Sequence, residues 1–266
     1  MKSCKRCFLN KVLNGAHILV TRPEHQANNL SRLIEDRGGI AVRFPTLEIV
    51  SREDAADPIQ DALANVDRFQ WVIFISANAV NFALKANSGK IARAESVRFA
   101  AVGQATAQAM KTAGLPVDLM PENGYSSEVL LAMPGLQQVE GQNFLIVRGE
   151  GGREQLATTL RSRGAEVNYL EVYKRTIPRI DSSPVINLLT RHRLDVVTAT
   201  STEALQNLII MLGEKNNRLL SLIPLVVVSD RIGHIAADIG FNRIIVADSP
   251  IDTAILETVI TCVTGE

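Results

Sequence analysis

The sequence predicts an α/β protein built on two doubly wound parallel sheets, and three observations carry that expectation. The chain resembles itself at a shift of about 126 residues, so one pattern is used twice. Each recurring block reads as a short apolar strand, a polar loop and a helix, the alternation that gives parallel sheets covered by helices. With 266 residues, 46% of them hydrophobic, the chain is long enough for two cores.

The first block opens at Ile18-Leu-Val-Thr-Arg22 and continues through a helical stretch to Val42-Arg-Phe44. Its partner is Leu145-Ile-Val-Arg148, a similar stretch, and Val167-Asn-Tyr169, with Val147 lying 127 positions after Val20. In the second block Trp71-Val-Ile-Phe-Ile-Ser76-Ala-Asn78 matches Val196-Val-Thr-Ala-Thr200-Ser-Thr202, and Thr200 follows Ser76 by 124. In the third, Phe99-Ala-Ala-Val-Gly103-Gln-Ala-Thr106 with Gly114 matches Leu225-Val-Val-Val-Ser229-Asp-Arg-Ile232 with Gly240, 126 positions apart.

Six strands are expected, at 18–20, 71–75, 99–102, 144–147, 195–198 and 225–228. All are short and mostly apolar, as strands buried on both faces should be. Leu30, Leu33 and Ile34 share one helical face, Pro23 suits a first turn, and Gly38 and Gly39 can supply the left-handed residue after the last. Gly164 does the same after Leu156 and Leu160. Phe44 to Val50 and Tyr169 to Arg175 are extended stretches after matched strand-helix units, and each could continue a sheet or link two lobes.

Composition removes several functional classes. Lys and Arg number 28 and Asp and Glu number 28, so no global field draws in nucleic acid or an anionic membrane. No apolar run approaches the ~20 residues that span a bilayer, and no secretory signal is visible, so a soluble cytoplasmic protein is expected. Cys4, Cys7 and Cys262 form no disulfide framework. Cys4-Lys5-Arg6-Cys7 has C-x-x-C form, but it lacks the further ligands of a zinc site and the strand of a redox motif, and reads as part of a basic tail.

In open α/β sheets ligands meet the loops at the carboxyl ends of the strands, where helix N-termini present free N–H groups. Those loops hold Thr21 and Arg22, Ser76 and Asn78, Gly103 and Thr106, Arg148, Gly151, Gly152 and Arg153, Thr200, Ser201 and Thr202, and Ser229. Hydroxyls, amides, glycines and a few arginines suit carboxylates or phosphates, although Ser, Thr and Asn also cap helices wherever one begins. Gly149-Glu-Gly-Gly152 fits neither G-x-G-x-x-G nor a Walker A motif, which leaves a nucleotide cofactor unsupported. His17, His25, His192 and His234 show no metal-ligand spacing, and no G-x-S-x-G elbow is present. Tyr173 is the candidate acid, with a packed aromatic as its alternative reading.

Ile18-Leu-Val-Thr-Arg-Pro23, Phe44-Pro45, Ala101-Val-Gly103 before Thr106-Ala107, Ser126-Ser-Glu-Val-Leu-Leu131, Leu145-Ile-Val-Arg-Gly-Glu-Gly-Gly-Arg-Glu154, Arg163-Gly-Ala-Glu-Val167 and Tyr173-Lys-Arg175 together resemble the bacterial uroporphyrinogen-III synthase family. The resemblance runs from about residue 17 to the end, and its specificity lies in the order and spacing of the pieces. It implies two flavodoxin-like lobes joined by a two-stranded linker. The implied parts are an extension at 1–16, a discontinuous lobe of 17–43 with 178–266, a lobe of 50–170, and linkers at 44–49 and 171–177.

The implied substrate is hydroxymethylbilane, whose carboxylates would meet the loops above together with Ser127. No cofactor, metal, nucleic acid or membrane is implied, and the expected protein is a monomer with transient contact with the preceding pathway enzyme. The family reaction expels the terminal hydroxyl to give an azafulvene, then inverts the last pyrrole through a spiro intermediate. Tyr173 matches the tyrosine proposed to assist that departure. Ser229-Asp230-Arg231 departs from the glycine and threonine of some relatives, which loosens the carry-over there. Two rival readings remain: a non-catalytic two-lobed binding protein for a small polyacidic metabolite, and a nucleotide-dependent enzyme weakened by the missing phosphate motifs.

Overall fold

The computed structural model of the chain describes residues 11–92, 95–122, 124 and 126–265. The Cys4-Lys5-Arg6-Cys7 stretch lies outside the described residues. The chain forms two compact units, one holding the residues up to Glu48 with Thr176–Glu266, the other Ile49–Arg175.

The first unit opens with β1 (His17–Val20), α1 (Glu24–Asp36) and β2 (Ile40–Arg43). Then come β3 (Glu48–Ser51), α2 (Ala56–Ala64), β4 (Trp71–Phe74), α3 (Ala77–Ala86) and β5 (Arg98–Ala101). The second unit continues through α4 (Gln104–Thr112), α5 (Ser127–Ala132), β6 (Asn143–Gly149), α6 (Gln155–Ser162) and β7 (Glu166–Thr176). The chain returns to the first unit with α7 (Ser183–Thr190), β8 (Val196–Ala199), α8 (Thr202–Leu212) and α9 (Glu214–Leu220). It ends in β9 (Leu225–Val227), α10 (Asp230–Ile239), β10 (Ile244–Val246) and α11 (Asp252–Thr264).

One sheet has the order β10-β9-β8-β1-β2, with every neighbouring pair parallel. This is the doubly wound order of the flavodoxin-like fold, in which the second strand lies outside the first and the later strands follow on its other side. The other sheet runs β3-β7-β6-β4-β5, parallel from β7 through β6 and β4 to β5, and Ala100 of β5 bridges Leu119 in parallel.

The sequence repeat reappears as strand register. Val20 faces Thr198 across β1 and β8; Val147, 127 positions later, faces Phe74, 124 positions before Thr198. Val20 also pairs with Arg43 and Val147 with Leu170, again 127 positions on. The copies thus fill matching places, but each sheet draws strands from both copies.

Packing follows the pleat. On β4, Val72 and Phe74 join Phe99, Met110 and Val147 on one face, while Trp71 and Ile73 join Phe144, Ile146 and Leu160 on the opposite face. Central β4 and β8 are buried throughout, whereas the edge strands β2 and β10 are not. The repeat-matched glycines end their helices alike: Gly38 at φ +79° and Gly164 at φ +83° let Gly39 N–H reach Ile34 O at 3.0 Å and Ala165 N–H reach Leu160 O at 3.1 Å.

The two extended stretches have different surroundings. In the first, Phe44 and Thr46 are buried in their unit, where Asn207 Nδ2 donates to Thr46 O at 2.8 Å and Thr46 Oγ1 donates to Ala204 O at 2.9 Å. Glu48–Ser51 then forms β3 beside β7. The second stretch is the latter half of the 11-residue β7, which stays paired to β6 as far as Tyr173.

Candidate functional site

The most informative geometry lies at the carboxyl ends of β6 and β7. Arg148 pairs with Glu171, yet the next residue, Gly149, pairs with Tyr173, so β7 carries one extra residue at Val172. This bulge breaks the alternation of the strand, and Val172 and Tyr173 both enter the same core. Bulges commonly re-aim a side chain in this way beside functional sites. The Tyr173 ring then lies over Gly149, where a Cβ would sit 2.3 Å from Cε2 and 2.5 Å from Cζ. Glycine at 149 is therefore what allows the ring to pass over β6.

Having passed β6, the phenol hydroxyl lies 3.3 Å from Ser76 Oγ, just beyond the end of β4. Ser76 is also the N-cap of α3, its Oγ accepting from Ala79 N–H at 3.1 Å. The ring of Phe82, further along α3, packs at 5.5 Å and 36° against Tyr173, which is 4% exposed. The constellation therefore joins a packed aromatic, a hydroxyl and the positive end of a helix dipole.

Beside it, the glycine-rich loop after β6 is braced from two directions. Arg148 is buried, donates through Nε to Gly149 O at 3.2 Å and through Nη1 to Glu154 Oε1 at 3.0 Å, and stacks over Tyr169 at 4.6 Å. Its Nη2 is buried without a partner. Glu154 also receives the Tyr169 hydroxyl. The Tyr169 hydroxyl and then the Arg148 guanidinium hold the Glu154 carboxyl below the usual 4.5, while burial and the Glu154 partner push Tyr169 up.

On the other side, Arg52 Nη1 donates to Glu150 at 3.2 Å and to Glu171 at 3.1 Å, and Glu171 accepts from Gly151 N–H at 3.2 Å. The Gly151 amide is thus already engaged by an internal carboxylate. Gly152 and Arg153 are exposed, and Arg153 approaches Glu128 at 3.7 Å.

The other residues expected at the site divide by exposure. In the second unit Asn78, Gly103 and Ser127 are half-buried at the starts of α3, α4 and α5, while Thr106 is buried on α4. The α5 cap is Ser126, whose Oγ accepts from Val129 N–H at 3.4 Å. In the first unit Thr21 is fully buried and donates to Thr198 O at 2.8 Å, so its hydroxyl is committed to joining β1 and β8. Arg22 is paired with Asp252 in the first turn of α11 and donates to Pro250 O at 3.3 Å.

Ser201 caps α8, accepting from Ala204 N–H at 3.0 Å, which places it opposite Ser76 in the repeat, with Thr200 as one extra loop residue. Thr202 Oγ1 is buried without a partner, and Ser229 sits at the N-cap of α10 without a side-chain cap bond. The sequence reading missed Gly149 as a passage, the bulge at Val172, and the carboxylates of Glu171 and Asp252 as internal partners. Only the glycine-rich composition after β6 signalled any of these.

Among the described residues, no helix is long and apolar enough to cross a membrane. A family model described as "Uroporphyrinogen-III synthase HemD" matches residues 28–257. The chain is 34% identical over 244 residues to the uroporphyrinogen-III synthase of Escherichia coli (strain K12), covering 90% of this chain and 98% of that relative. It is 33% identical over 253 residues to the protein of that name from Salmonella typhimurium, with the same 90% and 98% coverage. Its fold is similar to the crystal structure of a mutant uroporphyrinogen III synthase from Thermus thermophilus, with a TM-score of 0.62 at 16% identity, covering 95% of this chain and 100% of that one. The uroporphyrinogen-III synthetase of Helicobacter pylori is similar with a TM-score of 0.58 at 13% identity, covering 93% and 99%.

Proposed function

The chain belongs to the uroporphyrinogen-III synthase family, and on that premise we propose how its own residues carry out the reaction. It is a lyase-type enzyme of haem biosynthesis that cyclises hydroxymethylbilane to uroporphyrinogen III with release of water. The first step breaks the bond from the terminal carbon to its hydroxyl. Hydroxide is a poor leaving group, so a hydrogen bond or proton given to that oxygen lowers the barrier. We assign that donor to Tyr173.

The supporting observation is the placement of its hydroxyl, carried over β6 by the bulge and Gly149 to the end of β4, 3.3 Å from Ser76. A tyrosine hydroxyl donates readily at neutral pH but yields its proton reluctantly, so the contribution should be partial. The larger task is geometric, because the azafulvene must be held so that the spiro centre forms before simple closure.

For substrate carboxylates, the groups left accessible by the carboxyl-end loops of each unit taken by itself are the fitting partners: Asn78, Gly103, Ser127, Gly152 and Arg153 in the second unit, and Thr200 and Ser229 in the first. Arg148, Arg22, Thr202 and Thr106 shape those loops from behind, the exposed Gly151 has its amide engaged by Glu171, and Thr21 and Ser201 act through the fold. Hydroxymethylbilane closes without inversion when left alone, which favours its receipt by transient contact with the enzyme that makes it.

The test is Tyr173→Phe, which keeps the ring and removes the donor. We expect kcat to fall by less than ~100-fold with KM little changed. Unchanged turnover together with lowered thermal stability would make Tyr173 a packing residue.

A further inference from the structure

We infer that Ser76 is a positioning residue for the leaving-group step: its hydroxyl donates to the Tyr173 oxygen and passes the polarisation of the α3 N-terminus to it. The inference rests on the assignment of Tyr173 as the donor to the departing hydroxyl. Ser76 Oγ accepts Ala79 N–H at 3.1 Å and lies 3.3 Å from Tyr173 Oη. A serine oxygen has one proton and two lone pairs, and the cap occupies one lone pair. Two arrangements remain for the bond to Tyr173.

If Tyr173 donates to Ser76, its proton is already spent and cannot reach the substrate. If Ser76 donates to Tyr173, the phenol proton is free, and the chain runs from Ala79 N–H to Ser76 O–H to Tyr173 O–H to the leaving oxygen. Each bond in such a chain strengthens the next, and the amide at its head belongs to a helix N-terminus. As the carbon–oxygen bond breaks, Tyr173 shifts its proton toward the leaving oxygen and its own oxygen gains negative charge. Ser76 is the neighbour placed to stabilise that charge by donating. Phe82 on the same helix fixes the ring against α3, so the Oη to Oγ contact is held from both sides.

A capping role alone would make Ser76 structural, and the experiment separates the two roles. Ser76→Gly removes the hydroxyl but retains most of the cap, since glycine at an N-cap costs only a few tenths of a kcal/mol relative to serine. Ser76→Asp caps as well as serine but offers Tyr173 no proton, and it keeps the question answerable if the glycine variant folds poorly. Ser76→Thr retains both functions.

With fresh hydroxymethylbilane, we expect Ser76→Gly and Ser76→Asp each to lose about tenfold in kcat with KM little changed, a smaller effect than removing a donor that touches the reacting atoms. Ser76→Thr should recover most of that loss. In the Tyr173→Phe background, Ser76→Gly should cause no further loss of kcat, because the group it serves is gone.

Equal losses in both backgrounds, or a change in KM alone, would overturn the inference and make Ser76 a cap or a substrate contact. If Tyr173→Phe slows turnover but Ser76→Gly does not, the inference fails while the Tyr173 assignment stands. If Tyr173→Phe leaves kcat unchanged, that assignment fails and takes the inference with it.

Discussion

Replacing Gly149 by alanine adds one methyl group where the Tyr173 ring crosses β6. The new Cβ would lie 2.3, 2.5 and 2.9 Å from Cε2, Cζ and Cδ2 of Tyr173, all well inside van der Waals contact. The ring has little room to retreat, because it is 4% exposed and packed on Phe82. Overpacking of this kind costs about 1–3 kcal/mol. The stiffer unfolded chain of the alanine variant offsets about 0.4–1 kcal/mol of that, so a net loss should remain.

For a chain of this size each kcal/mol lowers Tm by roughly 2–4 °C, so calorimetry resolves the effect. The functional consequence is separate and should be larger. A displaced ring loses its contact with Ser76, so kcat should fall at least as far as in Tyr173→Phe. The control is Gly149→Ala in a Tyr173→Ala background, where the obstructing ring is absent and the methyl group should be nearly neutral. A Gly149→Ala protein with wild-type stability and turnover, or one destabilised equally in both backgrounds, would refute the account of the passage.

Asn207→Ala should cost about 1–3 kcal/mol, because it leaves the buried carbonyl of Thr46 without its 2.8 Å donor; denaturant unfolding measures this, and a neutral result would contradict the role given to the network. Glu154 has its carboxyl held below the usual 4.5, so its charged form favours the folded state. Its contribution is fully present above about pH 4.5 and is lost as pH falls through the lowered value. Glu154→Gln should therefore flatten the acid limb of a stability profile taken between about pH 3 and pH 7, and an unchanged limb would show that the Tyr169 and Arg148 contacts do not persist in solution.

The sheets were legible because the strongest sequence signal, three blocks in register, has a direct structural cause. Two copies of one β-α-β pattern must pair alike, and Val20 with Thr198 and Val147 with Phe74 do so. The alternating strands and helices and the glycine stops at Gly38 and Gly164 are local properties of the chain. Tyr173 was legible as a candidate because the histidines show no ligand spacing, no nucleophile motif is present, and it matches the tyrosine of the family pattern.

Its setting was not legible, because a bulge shows no periodicity of its own in a strand of mixed polar and apolar residues, and Val172 resembles any other buried valine. Gly149 was hidden among the glycines that follow it, although its role is steric and theirs are conformational. Thr21 was legible as a hydroxyl in a carboxyl-end loop, whereas only the fold reveals that it donates to Thr198 O. Internal carboxylates are harder still. Asp252 lies 230 residues from Arg22, and nothing local announces their pairing.

The central claim is that this chain closes hydroxymethylbilane with inversion of the last pyrrole. The direct measurement supplies the purified protein with freshly prepared hydroxymethylbilane, oxidises the products and resolves the type I and type III isomers chromatographically at several enzyme concentrations. The type III fraction should rise with enzyme until it dominates the product. Type I product alone, unchanged at the highest enzyme concentration, would contradict the claim.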